Sequence, residues 1–130
     1  MFNRRIATFA LATAAVLGSF SAHALIIKPF SDAELMAAQA AGKPVALHFH
    51  ASWCPTCKAQ TKAIDTFKND PALDKLTLLT VDYDNSKELR KALNVRGQST
   101  IIVYKGKTEV VRDAGETEAP ALKALLLKGV

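Results

Sequence analysis

The chain has 130 residues, carries 17 Lys and Arg against 12 Asp and Glu for a net charge of +5, and contains only two cysteines. Its basic residues are scattered, as at Lys58, Lys75, Arg90 and Lys107, with few aromatics between them, which excludes a nucleic-acid-binding stripe. No glycine-rich flavin or nicotinamide fingerprint, internal repeat or low-complexity tract is present, so the chain reads as one small domain without an organic cofactor.

At the N-terminus, Arg4 and Arg5 precede an apolar stretch from Ile6 to Phe20 and the small-residue sequence Ala22-His23-Ala24. This is the three-part plan of a secretory signal peptide. The stretch is shorter than the about 20 apolar residues of a membrane-spanning helix, so cleavage after Ala24 and no stable membrane anchor are expected. Residues 1–24 are then the leader and residues 25–130 the mature domain, which keeps 15 basic and 12 acidic residues, a charge of +3. Export is expected, with a bacterial periplasm as the destination. The mature 106 residues, 130 less 24, are enough for a single core without a disulfide staple.

Ser31 or Asp32 can cap a first helix running to about Ala41, stopped by Gly42-Lys43-Pro44. Val45 to Phe49 is a short apolar run suited to a buried strand. Pro55, whose missing N–H suits the first helical position, opens a second helix with apolar positions Ala59, Ala63, Ile64 and Phe67, ended by Asn69-Asp70-Pro71. Leu76 to Tyr83 follows as a strand and Ser86 to Leu93 as a helix. Thr100 to Tyr104 is a β-branched strand joined through Lys105-Gly106-Lys107 to a hairpin partner at Glu109 to Arg112. A last helix from Glu118 or Pro120 carries Leu122, Leu125, Leu126 and Leu127. This order predicts an α/β fold with a four-stranded mixed sheet and helices on both faces.

The chemistry centres on Trp53-Cys54-Pro55-Thr56-Cys57. A bridge between cysteines separated by only two residues closes almost no loop and adds little stability, so the pair is expected to be a redox-active dithiol and disulfide. Thiolate is the reactive species, and the helix starting at Pro55 points free N–H groups and its positive dipole end at Cys54. Cys54 is therefore the expected exposed nucleophile. Cys57, one turn on, is the more buried resolving thiol that attacks a mixed disulfide at Cys54. Trp53 either holds substrate against the sulfur or covers the helix start.

The stretch from Phe49 through Trp53-Cys54-Pro55-Thr56-Cys57-Lys58, together with Val95-Arg96-Gly97-Gln98-Ser99-Thr100 and Tyr104-Lys105-Gly106-Lys107, resembles the thioredoxin family over residues 31–130. Within it, Gly42-Lys43-Pro44-Val45 and Asn69-Asp70-Pro71 look most like the C-terminal domain of the interchange protein DsbD. The resemblance implies a thioredoxin-like fold and a thiol:disulfide oxidoreductase, more as reductant than oxidant, acting on exported proteins as a monomer. It also implies a membrane redox partner of the DsbD type, and a substrate groove formed by Trp53, Gln98 and Ser99.

Three departures from the family pattern stand out. Ser99 occupies the place of the family's cis-proline, and a trans Gln98–Ser99 bond is expected because cis bonds belong almost wholly to proline. His48 stands where the family keeps a buried acid, and is either a proton acceptor for Cys57 or a hydrogen-bonded core residue. Pro55-Thr56 replaces Gly-Pro between the cysteines, which predicts an intermediate reduction potential. Two other readings stay open: a metal-binding module in which His48 or His50 joins the cysteines, and a non-catalytic binding module on the same scaffold.

Overall fold

The computed structural model describes Gly18 and residues 24–130. Apart from Gly18 and Ala24, the expected signal peptide lies outside the described residues. The elements in chain order are β1 (Ile26–Pro29), α1 (Asp32–Ala40), β2 (Pro44–His50), α2 (Pro55–Asp65), β3 (Thr77–Asp82), α3 (Lys87–Ala92), β4 (Thr100–Lys105), β5 (Thr108–Ala114) and α4 (Ala119–Leu127), with a 3-10 turn at Pro71–Leu73.

They form one sheet of five strands in the order β1-β3-β2-β4-β5. The strands β1, β3 and β2 run parallel, and β4 and β5 are antiparallel additions on the β2 side. The fifth strand corrects the expected four: β1 lines the edge beside β3, from Ile26 opposite Thr77 to Pro29 opposite Thr80. Its four residues are all exposed and end in a proline, and its apolar pair Ile26-Ile27 is cut short by Lys28-Pro29, too short a run to mark a strand. Proline is tolerated there because an edge strand has one unpaired side.

The period-two alternation of the strands sorts the core into two layers. On one face Ala46, Leu78, Ile101 and Val103 pack with Ile64 of α2 and Leu122 and Leu126 of α4. On the other, Val45, Leu47, Phe49, Leu79, Val81, Ile102 and Tyr104 pack with Leu35 of α1 and Leu89 of α3. Each fully buried leucine or phenylalanine contributes about 1.5–3 kcal/mol relative to exposure. Ser31 caps α1 by accepting the Glu34 N–H at 3.1 Å, and Asp70 caps the 3-10 turn through Ala72 N–H at 2.9 Å. Among the described residues no helix is long and apolar enough to cross a membrane.

The C-terminal turn is tightly fitted. A Cβ on Gly129 would lie 2.7 Å from Val103 Cγ1 and 3.3 Å from the Tyr104 carbonyl oxygen. Gly129→Ala should therefore overpack this corner and lower the unfolding free energy by about 1–3 kcal/mol. Urea unfolding measures it, and an unchanged midpoint would show that the turn yields without cost.

Candidate active site

Cys54 is the N-cap of α2: its backbone is extended while its sulfur accepts the Cys57 N–H at 3.1 Å, with Pro55 at the first helical position. A thiol thus takes the role usually filled by a serine or aspartate oxygen. Cys57 lies one turn on, with its sulfur 3.8 Å from the Phe49 carbonyl oxygen, to which it donates. Both cysteines are reduced and buried. The expectation of an exposed Cys54 is corrected, since it is 1% exposed against 0% for Cys57. The reason is that Cys54 packs with Ala51, Cys57 and Tyr83, and the loop opposite brings the Ser99 hydroxyl to 3.3 Å from its sulfur.

Ser99 Oγ lies 3.3 Å from Cys54 Sγ and 3.4 Å from Cys57 Sγ. Its backbone is trans and left-handed at φ 67°, no cis peptide bond occurring among the described residues. Every polar group of this residue is used: its N–H donates to the Phe49 carbonyl at 2.9 Å, and its carbonyl accepts from Gly115 N–H at 3.2 Å and from the Gln60 amide at 2.9 Å. Ser99 therefore sits beneath the groove and faces the sulfurs, while Gln98 beside it is half-buried and Trp53 is 56% exposed.

Gln60 is the residue that the sequence pattern conceals. The inward face of α2 is Cys57, Gln60 and Ile64, whereas Ala59 is exposed. The Gln60 amide nitrogen donates to two carbonyls, Ser99 O at 2.9 Å and Glu116 O at 3.1 Å. Carbonyls only accept, so the amide orientation is settled, and its Oε1 accepts from His48 Nε2 at 2.9 Å. His48 is thereby a neutral Nε2–H tautomer. A polar residue at a core position, three residues after Cys57, is the signal that could have revealed Gln60.

Burial lowers the His48 pKa to about 4 from 6.5, the Gln60 hydrogen bond pulling it upward and His50 pushing it further down. The small cavity of about 40 Å³ that His48 lines contains neither cysteine. For the sulfurs, burial pushes Cys54 upward, but hydrogen bonds from the Cys57 and Ser99 side chains and the Cys57 and Thr56 N–H groups outweigh it and hold the thiol below its ordinary value. Cys57 is raised, first by burial and then by its hydrogen bond to Cys54. A base lowered to about 4 is poorly matched to a thiol whose own pKa is raised, and the His48 Nε2 is bonded to Gln60 and not to sulfur. His48 therefore does not fit the expected role of proton acceptor for Cys57.

Around the rim, the Trp53 indole N–H donates to Asp84 Oδ2 at 2.8 Å. Tyr83 packs against the cysteines, and the Arg90 guanidinium lies 4.0 Å over its ring. Two clefts, about 400 Å³ beside His50 and Ser52 and about 670 Å³ beside Asp84 and Asn85, are not lined by either cysteine. His50 meets the His48 ring edge at 5.6 Å, and among the described residues no three His, Cys, Asp or Glu side chains gather as a metal site. Among the described residues the metal-binding alternative thus has no third ligand beside the cysteines.

The thioredoxin family model matches residues 28–128. The chain belongs to the thioredoxin family. This thioredoxin-family domain is 32% identical over 97 residues to a thioredoxin H-type of Chlamydomonas reinhardtii, covering 75% of this chain and 84% of that one. It is 37% identical over 107 residues to the thiol:disulfide interchange protein DsbD of Vibrio cholerae, covering 74% of this chain but 18% of DsbD. Its structure matches that of Trxlp from Edwardsiella tarda with a TM-score of 0.74 and 38% identity, over 77% of this chain and 97% of the other. The domain is a thiol:disulfide oxidoreductase, with the thioredoxin-like fold expected of it.

The depressed His48 makes the fold acid-sensitive. As pH falls through 6.5 the unfolded chain binds a proton that the folded chain refuses until about 4. Stability is complete above that window and should fall by up to about 3 kcal/mol across it. His48→Gln, which keeps an amide N–H for Gln60 but cannot ionise, should flatten this part of the profile in denaturant titrations. Equal acid loss in both proteins would assign the sensitivity elsewhere.

Proposed function

We propose that this domain is exported, to a bacterial periplasm, and works there as a disulfide reductant: Cys54 attacks disulfides of exported proteins, Cys57 resolves the mixed disulfide, and a membrane redox protein of the DsbD type restores the dithiol. The observation that carries the direction is the uncharged setting of Cys54. Its thiolate is favoured by a hydroxyl, a thiol and backbone N–H groups, and opposed by burial. No cationic side chain bonds to either sulfur among the described residues. A strongly stabilised thiolate would make the pair oxidising, and this one is stabilised only by neutral dipoles.

Export is supported by the leader-like residues 1–24, and the partner by the similarity to DsbD. Trp53 and Gln98 are proposed as the surface on which substrate lies, with the indole held by Asp84. Ser99 contributes less to that surface than expected, because it is 4% exposed and its N–H is already bonded to Phe49.

Equilibration against thiol buffers should place the reduction potential nearer the ~ −270 mV of thioredoxin than the ~ −120 mV of DsbA. A value at the oxidising end would reverse the proposed electron flow. In cells, Cys57→Ser should accumulate mixed disulfides with exported proteins while Cys54→Ser should not. The opposite pattern would exchange the roles of the two cysteines.

A further inference from the structure

The second half of disulfide exchange has a proton problem. Cys57 must lose a proton before its sulfur can attack the mixed disulfide at Cys54. The substrate sulfur that leaves, when it belongs to an alkyl thiol with a pKa near ~8.5, departs best as a thiol. The residue standing where the family keeps a buried acid does not serve either need. His48 is bonded to Gln60, and no carboxylate is bonded to either sulfur among the described residues.

One side-chain oxygen does reach both sulfurs. Ser99 Oγ is 3.3 Å from Cys54 and 3.4 Å from Cys57. A hydroxyl has one proton to donate and lone pairs to accept with, so it can donate toward Cys54 while accepting from Cys57 once the single S–H proton of Cys57 turns from the Phe49 carbonyl at 3.8 Å to Ser99 at 3.4 Å. Its position is not incidental. The Gln60 amide, the Gly115 N–H and the Phe49 carbonyl bind the Ser99 backbone in a left-handed conformation, and Ser99 is almost wholly buried.

We propose that Ser99 is a catalytic residue that relays the proton of Cys57 to the departing substrate sulfur. The proposal rests on the oxidoreductase reading above. In the first half-reaction the Cys54 thiolate attacks a substrate disulfide, forming the Cys54–substrate bond and releasing the first substrate sulfur, which takes a proton from solvent. In the second, Cys57 S–H passes its proton to Ser99 Oγ as the Ser99 O–H proton moves to the substrate sulfur on Cys54. The Cys57 electron pair forms the Cys57–Cys54 bond, the Cys54–substrate bond breaks with its pair on the substrate sulfur, and a neutral thiol leaves. The substrate disulfide has gained two electrons, the dithiol has lost two, and the serine hydroxyl is restored without ever carrying net charge.

The purified reduced protein is mixed with oxidised glutathione, quenched in acid at intervals and weighed by mass spectrometry. In Ser99→Ala the glutathione adduct should form and then resolve about 100-fold more slowly than in the unaltered protein, the scale of a lost proton-transfer group. Ser99→Gly, which suits a left-handed backbone and also lacks the hydroxyl, should behave the same way. With an aromatic disulfide such as dithiobis-nitrobenzoate, whose thiolate leaves without a proton, the slowing should be much smaller. Resolution of the glutathione adduct at the unaltered rate, or equal slowing with both reagents, would overturn the relay. If the unaltered protein formed neither adduct nor internal disulfide, the oxidoreductase reading would fail instead.

Discussion

A serine at φ 67° costs of order 1 kcal/mol, because its Cβ crowds the backbone in the left-handed region. Ser99 stays there because its N–H and carbonyl make three hydrogen bonds to Phe49, Gly115 and Gln60, each contributing about 1 kcal/mol and each expensive to leave unmade when buried. The hydroxyl therefore stands between the two sulfurs as a consequence of backbone pinning. Relaxing Ser99 to an extended backbone would turn its side chain away from the pair. The dithiol's environment thus depends on residues that never touch sulfur, with Gln60 foremost among them.

Gln60 is itself oriented by His48, and the resulting chain from His48 through Gln60 and Ser99 to the sulfurs consists of neutral groups only. That neutrality has an energetic logic. An ionised group at the position of His48, which is 2% exposed, would need a partner charge or a large pKa shift to exist. The histidine takes the second course: its low pKa keeps the ring neutral, and the bond to Gln60 Oε1 fixes its one N–H on Nε2. Buried polar networks are costly when half-satisfied and rigid when complete. This one is complete at every amide and carbonyl described above, which makes it a clamp for the Ser99 loop more than a reservoir of protons.

The sequence disclosed the frame of the molecule where the local signal was strong: Val45 to Phe49, Thr100 to Tyr104 and the Pro55 helix start all carry apolar runs or a turn residue with one meaning. The cysteine spacing disclosed the chemistry for the same reason. What stayed hidden were features set by tertiary placement. The strand Ile26–Pro29 has no buried residue and is held by its pairing with the edge of β3. Gln60 reads as a surface residue until the helix phase is fixed by Cys57 and Ile64. The contact of Cys54 with the Ser99 hydroxyl spans 45 residues of sequence, and no local pattern connects positions so far apart. Likewise His48 could be placed in the core from its strand, but only its partner decides whether it is a base or a brace.

Topology explains why these distant pieces meet. In α/β sheets sites form at the carboxyl ends of parallel strands, and here β2 and β3 both end beside the pair, at His50 and Asp82. Because β4 runs antiparallel to β2, with Ile101 opposite His48, its beginning and not its end comes to that edge, and Ser99 is the residue just before it. The strand β5 turns back again, placing Ala114 opposite Thr100 and so bringing Gly115 and Glu116 within reach of Ser99 and Gln60. After β3 the chain adds Tyr83, packed on the cysteines beneath Arg90, and Asp84, bonded to Trp53. Four strand ends therefore converge on one helix start. An all-parallel sheet would have carried the Ser99 loop to the opposite edge, leaving Cys54 capped by its helix but without the hydroxyl that now bridges it to Cys57.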